Sequence, residues 1–202
     1  MDFINLLNSL KEEYKNDLLV RQNGTILLGP GTVPRAQHML FKPLDDKLIE
    51  EFLVSQYVYK FPKAYIEFLK YSNGADLCTV KMWHTIKKKR IPTASGLFTI
   101  YGLPRSQPFG RPADMEEPFD LRIEDLRRHD DIPKKWLHCG NYIRNYDFHT
   151  AIDIFIDAES EKVHSCIRNT TTIVDSWNSL DDCFCDIYYS LVDRKEEYEF
   201  SV

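Results

Sequence analysis

Six histidines and five cysteines are the residues of this 202-residue chain that could bind a metal ion or act as nucleophiles. They form three close pairs, which are His138-Cys139, His164-x-Cys166 and Cys183-x-Cys185. Structural zinc sites use two pairs of ligands spaced two to four residues apart, and here only His164 and Cys166 lie on one side of a strand. Because cysteine is commonly a small buried hydrophobe, we expect Cys139, Cys166 and Cys183 to be core residues. We predict no metal and no cofactor; an enzyme or metal site built on His164, Cys166 and a third group is the alternative.

Nucleophilic catalysis and carboxylate catalysis both need side chains that converge. Neighbouring residues of a strand point to opposite faces, so His138 and Cys139 do not form a nucleophile–base pair. Asp153 and Asp157 share the outer face of one strand at a separation of about 13 Å, which is too wide for a glycosidase carboxylate pair, and we expect both to be solvated. The motifs of phosphate-binding loops, dinucleotide folds, serine hydrolases and zinc proteases do not occur. The sequence therefore predicts that the protein is not an enzyme.

The formal net charge of −5 is a sum of segments with strong and opposite charge. Residues 81–90 hold five bases and no acid, residues 114–131 hold eight acids and three arginines, and residues 175–202 hold eight acids and two bases. Because phosphate neutralisation needs a basic face, an acidic chain is a poor candidate for nucleic-acid binding. We interpret the run from Lys87 to Arg90 as an exposed hairpin tip; a nuclear signal or an anion site is the alternative. The acidic segment, residues 114–131, is either a solvated loop or a surface that steers a basic partner.

Aromatic side chains in and beside the acidic segment favour the partner-binding interpretation, because aromatic residues commonly anchor protein interfaces. The segment also overlaps a polar, proline-containing excursion over residues 103–119 that is longer than the fold needs. We therefore predict a protein-binding surface here. Its predicted contact residues are Phe109, Asp114, Glu116, Glu117, Phe119, Asp120, Glu124 and Asp125.

The sequence has no features of export or membrane insertion. No apolar run approaches the 18 residues of a membrane-spanning helix, and the first residues lack the basic start of a signal peptide. An odd number of cysteines without framework spacing favours reduced thiols. We expect a cytoplasmic protein that does not contact a membrane.

Three helices and a hairpin are predicted in the first half of the chain. Apolar residues at helical spacing predict an amphipathic helix over residues 3–15, and Asn23-Gly24 predicts a tight hairpin. Asp45 favours the start of a second helix. A third helix is expected to begin near Phe61-Pro62 and to end at Ser72-Asn73-Gly74 in a left-handed cap.

The second half of the chain has the period of strands, followed by one more helix. β-rich runs predict strands over residues 77–83, 96–101, 136–139, 149–156, 163–167 and 171–174, and Ser179 opens a helix with a capping box. Helices followed by an antiparallel meander and a closing helix make the predicted fold class α+β. We predict a single domain over residues 1–202, in which residues 1–42 are an N-terminal extension of one helix and one hairpin.

Residues 43–77, PLDDKLIEEFLVSQYVYKFPKAYIEFLKYSNGADL, resemble the opening of domains of the SUKH superfamily. This superfamily includes the fungal cell-wall-synthesis regulators and many bacterial immunity proteins. Its pattern of an acidic helix followed by an "lP-x-x-y-x-x-fl" helix is represented here by Phe61-Pro62, Tyr65 and Phe68-Leu69. Residues 140–166 resemble the family's central hairpin, in which a glycine-bearing turn, here at Gly140, precedes a hydrophobic strand. The predicted last helix is similar to the family's closing helix.

The resemblance covers residues 43–192 and implies an α+β fold without a catalytic site. For bacterial members it implies immunity, in which the protein binds and blocks a cognate polymorphic toxin, often a nuclease or a deaminase. An acidic surface would then compete with nucleic acid for the basic cleft of the toxin. The alternative is an intracellular regulatory scaffold of the cell-wall-synthesis-regulator type.

Overall fold

The computed structural model describes residues 2–29, 37–56, 61–86, 89–103, 132–133, 135–144 and 150–193, with the backbone alone for residues 52–56, 80–86 and 89–95. Within these ranges the chain forms four α-helices and nine strands, so the predicted α+β class is confirmed. The elements are, in chain order, α1 (Phe3–Glu13), β1 (Leu18–Val20), β2 (Ile26–Leu28), β3 (His38–Leu40), α2 (Asp46–Gln56), α3 (Lys63–Tyr71), β4 (Ala75–Ile86), β5 (Lys89–Ile100), β6 (Trp136–Ile143), β7 (Ala151–Asp157), β8 (Val163–Ile167), β9 (Ile173–Trp177) and α4 (Leu180–Asp193). In this part of the chain no helix is both long and apolar enough to cross a bilayer.

The described strands form one antiparallel sheet in which each strand pairs with the next along the chain. The predicted hairpin is present, with Leu19 opposite Leu27 and Gly24 at a φ of 85° in the turn. Strands β1 to β3 extend the same sheet as the later strands, because β3 pairs with the start of β4. The antiparallel meander predicted for the second half of the chain therefore begins before α2.

Strands β4 and β5 are longer than the sequence predicts. Their pairing runs from Ala75 opposite Ile100 to Ile86 opposite Lys89, so Lys81, Lys89 and Arg90 of the basic run belong to the strands. Residues 87–88, the rest of the run that we interpret as a hairpin tip, lie outside the described residues.

Helices α1, α3 and α4 pack on one face of the sheet around Phe184. The ring centroid of Phe184 lies 5.0 Å from that of Phe3 in α1, 6.1 Å from that of Phe68 in α3 and 5.4 Å from that of Phe98 in β5. These edge-on aromatic contacts are the preferred geometry for paired rings. One side chain of α4 thus contacts two other helices and the sheet.

The two terminal helices follow their sequence signals closely. In α1 the buried residues are Phe3, Leu6, Leu7 and Leu10, as the helical spacing predicts, and Asp2 caps the helix by accepting the N–H of Ile4 at 2.8 Å. In α4 the hydroxyl of Ser179 accepts the N–H of Asp182 at 3.1 Å. Both predictions are confirmed because cap and period are properties of neighbouring residues.

The left-handed cap predicted for the end of α3 is wrong in its details. Ser72 has a φ of −154°, which is extended backbone, and the left-handed residue is Gly74 at 87°. Asn73 is fully buried and forms two hydrogen bonds with Leu103: its amide nitrogen donates to the carbonyl oxygen at 2.8 Å, and its Oδ1 accepts the N–H at 2.7 Å. Residues 72–74 therefore lead directly into β4 and do not form a left-handed cap on α3. The Asn73 side chain holds the residues that follow β5 through its two hydrogen bonds with Leu103.

Candidate functional site

The predicted partner surface in the acidic segment lies outside the described residues. Its members, Phe109, Asp114, Glu116, Glu117, Phe119, Asp120, Glu124 and Asp125, therefore stay a prediction from sequence. The nearest described residues on either side, Leu103 and Ile132, are both buried. Ile132 packs with Phe155 and Cys166, on the sheet face opposite the helices.

That opposite face, called here the second sheet face, carries a row of residues that lie directly across from one another on successive strands. Phe98 points to the helices, so its neighbour Thr99 points to the second sheet face. Pairing continues the row from β2 to β8 through Leu27, Met39, Asp76, Thr99, Asn141, Asp153 and Cys166. The middle of the row is polar: Asp76, Thr99 and Asp153 are buried and Asn141 is partly buried. The Thr99 hydroxyl donates to Asp76 Oδ1 at 2.8 Å. Polar side chains in a buried row are satisfied by one another rather than by solvent.

A buried histidine–carboxylate pair lies beside this row. His138 Nε2 is 3.4 Å from Asp153 Oδ1, which is an ion-pair distance rather than a well-formed hydrogen bond. The imidazole stacks on Phe155 with ring centroids 4.9 Å apart, and Tyr101 meets it edge-on at 4.9 Å. The strand pairing of β6 with β7 thus brings a base, a carboxylate and two aromatic rings together.

The environment of Asp153 favours its charged form. Burial by itself raises the pKa of this carboxyl, but His138 and the backbone N–H of Asn169, which lies 3.1 Å from Oδ2, lower it by more. The net result is a pKa below the ordinary value of aspartate. A carboxylate held in this way is a stable buried anion and not a proton donor near neutral pH.

The expectation that Asp153 and Asp157 are solvated is wrong. Their exposed fractions are 5% and 6%. Alternation along β7 does place Asp153 on the face opposite Ile154, but that face is covered as well. Asp157 Oδ1 accepts the N–H groups of Glu159 and Ser160 at 2.9 and 3.1 Å, and its Oδ2 lies 3.1 Å from Lys135 Nζ. Burial raises the pKa of Asp157, and these donors together lower it below its ordinary value.

The alternative pair, His164 and Cys166, packs against aromatic side chains. Both lie on the second sheet face, where the His164 ring stacks on Trp136 with centroids 4.8 Å apart and its Nδ1 lies 2.8 Å from the Ser176 hydroxyl. Burial lowers the pKa of His164 and raises that of Cys166 to about 11. Among the residues whose placement is described, no three histidine, cysteine, aspartate or glutamate side chains are close enough to hold a metal ion.

The remaining cysteine predictions are confirmed. Cys139, Cys166 and Cys183 are completely buried, and burial raises the pKa of the Cys139 and Cys183 thiols. Cys139 belongs to the core under the helices, whereas His138 lies on the second sheet face. The two neighbours thus point to opposite faces, as strand geometry requires.

Gly140 lies inside β6 and not in the turn that the family resemblance implies. It pairs with Ile100 on one side and with Ile154 on the other, next to a bulge that begins at His138. A Cβ atom at this position would lie 2.5 Å from the carbonyl oxygen of Thr99. Glycine is therefore needed here for the close approach of two strands.

Sequence reasoning missed the His138–Asp153 pair. The two residues are 15 positions apart, and only the register of β6 against β7 brings them together; that register is displaced by the bulge between His138 and Gly140. No spacing rule in a single sequence encodes such a displacement. No family model, curated protein or solved structure matches the chain.

Proposed function

We propose that this protein binds and blocks another protein without catalysing a reaction, as a cytoplasmic immunity protein of the SUKH type. Its partner would be a cognate polymorphic toxin with nuclease or deaminase activity. The observation that carries the proposal is the burial of the apolar residues in and just before α3. The residues of the "lP-x-x-y-x-x-fl" pattern, Phe61, Tyr65, Phe68 and Leu69, are all buried.

The contacts of these residues support the resemblance on which the proposal rests. Phe68 meets Phe184 of the last helix edge-on at 6.1 Å, and the Tyr65 hydroxyl donates to the carbonyl oxygen of Tyr101 at the end of β5. The pattern thus joins the helix that resembles the family's opening to the one that resembles its closing helix.

The proposed mechanism is electrostatic competition. Residues 114–131 carry eight acids and three arginines, and such a surface would occupy a basic cleft in which the toxin holds nucleic acid. Complementary charge accelerates encounter more than it strengthens the final complex. We therefore propose that Asp114, Glu116 and Glu117 steer association, with Phe109 and Phe119 as anchors.

The proposal predicts a gene for a polymorphic toxin beside this one, and the test is co-expression of the two proteins followed by binding kinetics with the purified toxin. Growth rescue and a stable complex are expected for the native chain. Reversal of Asp114, Glu116 and Glu117 to lysine should lower the association rate constant about tenfold or more and flatten its dependence on salt.

A matched control is available on the helices. Glu12, Glu50 and Glu51 are exposed, and their reversal to lysine changes the net charge by the same amount, from −5 to +1. The control triple should retain most of the association rate. Equal losses in both triples would remove the acidic segment as the binding surface, and absence of rescue and of binding by the native chain would overturn the proposed function.

A further inference from the structure

Strands β4 and β5 continue together beyond the other strands of the sheet. Among the described strands, β3 pairs only with the first two residues of β4, and β6 pairs only with the last three residues of β5, Phe98–Ile100. The two long strands nevertheless stay paired with each other as far as Ile86 opposite Lys89. Residues 80–86 and 89–95, called here the ribbon, therefore pair with each other and with no third strand of the described chain.

The ribbon belongs to a stretch of the chain that contains no acid. Residues 77–113 include four lysines and three arginines but neither aspartate nor glutamate, although the whole chain has 31 acids. Three of these bases, Lys81, Lys89 and Arg90, are in the described strands. The ribbon is thus a basic element in a protein whose net charge is negative.

The register distributes the three bases over both faces of the ribbon. Alternate residues of a strand lie on the same face, so Lys81, Trp83 and Thr85 share one face. Arg90 joins that face because it pairs with Thr85, and its neighbour Lys89 lies on the other face. Bases that neutralise phosphates, together with an aromatic residue on which a nucleobase can stack, are typical of surfaces that bind nucleic acid.

The shape of the ribbon favours double-stranded DNA as the partner. The major groove of B-form DNA admits a two-stranded β-ribbon, whereas the major groove of an RNA duplex is deep and narrow. Alternate backbone N–H groups of each strand point away from the partner strand, and phosphate oxygens accept hydrogen bonds from such groups. An acidic protein surface would match the charge of the ribbon, but a groove can contact both of its faces and both of its edges.

The net charge of −5 does not oppose this contact, because a phosphate responds mainly to the charges near it. At physiological ionic strength the interaction between exposed charges is largely screened beyond about 8 Å. Seven residues of an extended strand span roughly 20 Å, so the end of the ribbon lies more than twice the screening length from the last residues that pair with β3. Its bases therefore act largely independently of the acids on the rest of the sheet.

From these observations we propose that the ribbon binds double-stranded DNA in the major groove, through the phosphates and independently of base sequence. Lys81, Lys89 and Arg90 neutralise phosphates on the two walls of the groove. Three neutralised phosphates give a slope of about −2.7 for the logarithm of the association constant against the logarithm of the salt concentration. This activity is separate from the binding of a toxin and does not rest on it.

The test is the fluorescence anisotropy of a labelled DNA duplex of about 20 base pairs, titrated with the full chain at several salt concentrations. The native chain should bind with the slope given above. K89E/R90E should raise the dissociation constant at least about tenfold, since two of the three phosphate contacts are lost. K89Q/R90Q, which removes the two charges without reversing them, should also weaken binding about tenfold.

A matched control separates the ribbon from the net charge of the chain. Lys15 and Lys63 are exposed and lie outside the ribbon, and K15E/K63E changes the net charge from −5 to −9, as K89E/R90E does. The control should bind within about threefold of the native chain, because its two sites make no phosphate contact. Circular dichroism verifies that each variant is folded.

Several results would overturn the proposal. One is the absence of duplex binding by the native chain at low salt, and another is an equal loss in K89E/R90E and in K15E/K63E. Tighter binding of single-stranded DNA or of an RNA duplex would contradict the fit to the major groove. Displacement of the duplex by polyglutamate at equal charge concentration would identify an acidic protein as the partner instead. None of these results bears on the proposed function, because no toxin is present in the assay.

Discussion

Asp153 shows how much the chemistry of one residue depends on strand pairing in this protein. Its alternation with apolar neighbours indicates a solvent-facing side chain, yet it is buried beside His138 and accepts a backbone N–H from Asn169. The first contact comes from the neighbouring strand β6, and the second comes from the turn between β8 and β9. The same residue type in the same local sequence would be an ordinary surface charge if the second sheet face were open to solvent.

D153N tests whether the charge of this residue stabilises the fold. Asparagine keeps an acceptor for the N–H of Asn169 and removes the negative charge beside His138. We expect the free energy of unfolding at neutral pH to fall by about 1.5–3 kcal/mol, the range for hydrogen bonds to charged groups. Urea denaturation measures this difference, and D193N, at an exposed residue of α4, is the control with little effect.

The pH dependence of the same variant has a definite sign. Because the pKa of Asp153 is lower in the folded chain than in the unfolded one, the carboxylate stabilises the fold above the unfolded pKa of about 3.9. That contribution is lost as the pH falls through the lower, folded pKa. The difference between the native chain and D153N should therefore shrink below about pH 4. A difference that stays constant into strong acid would contradict a role for the charge.

At the scale of elements, sequence-based prediction is most accurate where an element is determined by residues that are close together in the chain. Helices predicted over residues 3–15 and from Ser179 are observed as Phe3–Glu13 and Leu180–Asp193, because cap and period involve residues within a few positions. The length of β4 and β5 and the continuation of the sheet through β1 to β3 depend on distant pairing. For the same reason His138 and Asp153 could not be assigned to one site. The acidic segment stays a prediction because it lies outside the described residues.

The connection between α3 and β4 yields a prediction at this scale. N73D replaces the amide that donates to the Leu103 carbonyl with a carboxylate, in a fully buried position. We expect a loss of about 3 kcal/mol or more in the free energy of unfolding, since a buried acceptor loses its donor and a charge is buried without a partner. Chemical denaturation at neutral pH measures the loss.

An exposed asparagine supplies the control for N73D. Asn8 accepts a hydrogen bond from the Tyr71 hydroxyl at 2.7 Å on the surface, and N8D keeps that acceptor in contact with water. Its effect should stay within about 0.5 kcal/mol, as for most surface substitutions. Equal effects of N73D and N8D would show that the link between Asn73 and Leu103 does not hold the end of β5.

At the scale of the whole molecule, all four described helices and most of the described strands contribute buried residues to one large core cluster. The first helix is part of that core, because the Phe3 ring contacts the rings of Phe68, Phe98 and Phe184. The backbone N–H of Phe3 also donates to the Asp181 carboxylate of α4 at 3.0 Å. The hairpin that follows extends the same sheet. Residues 2–29 therefore contribute to the fold through contacts that residues 43–192 cannot make alone.

A double-mutant cycle on Phe3 and Phe184 tests this integration. Each alanine variant should lower the free energy of unfolding by about 3–5 kcal/mol, because each removes a buried aromatic ring. Since the two rings are in contact, with centroids 5.0 Å apart, the double variant should lose less than the sum of the single losses, with a coupling of about 0.5–3 kcal/mol. Denaturant titrations followed by far-UV circular dichroism and by tryptophan fluorescence give these values.

V192A serves as the control in this cycle, because Val192 is an exposed residue of the same helix. Paired with F3A, it should show additive losses within about 0.5 kcal/mol. In the native chain the two spectroscopic probes should report a single transition, since α1 and α4 share one core. Additive losses for F3A and F184A, together with an early separate transition of helical signal, would mean that α1 folds independently of the rest, and its burial against Phe184 would then contribute little to the stability of the sheet.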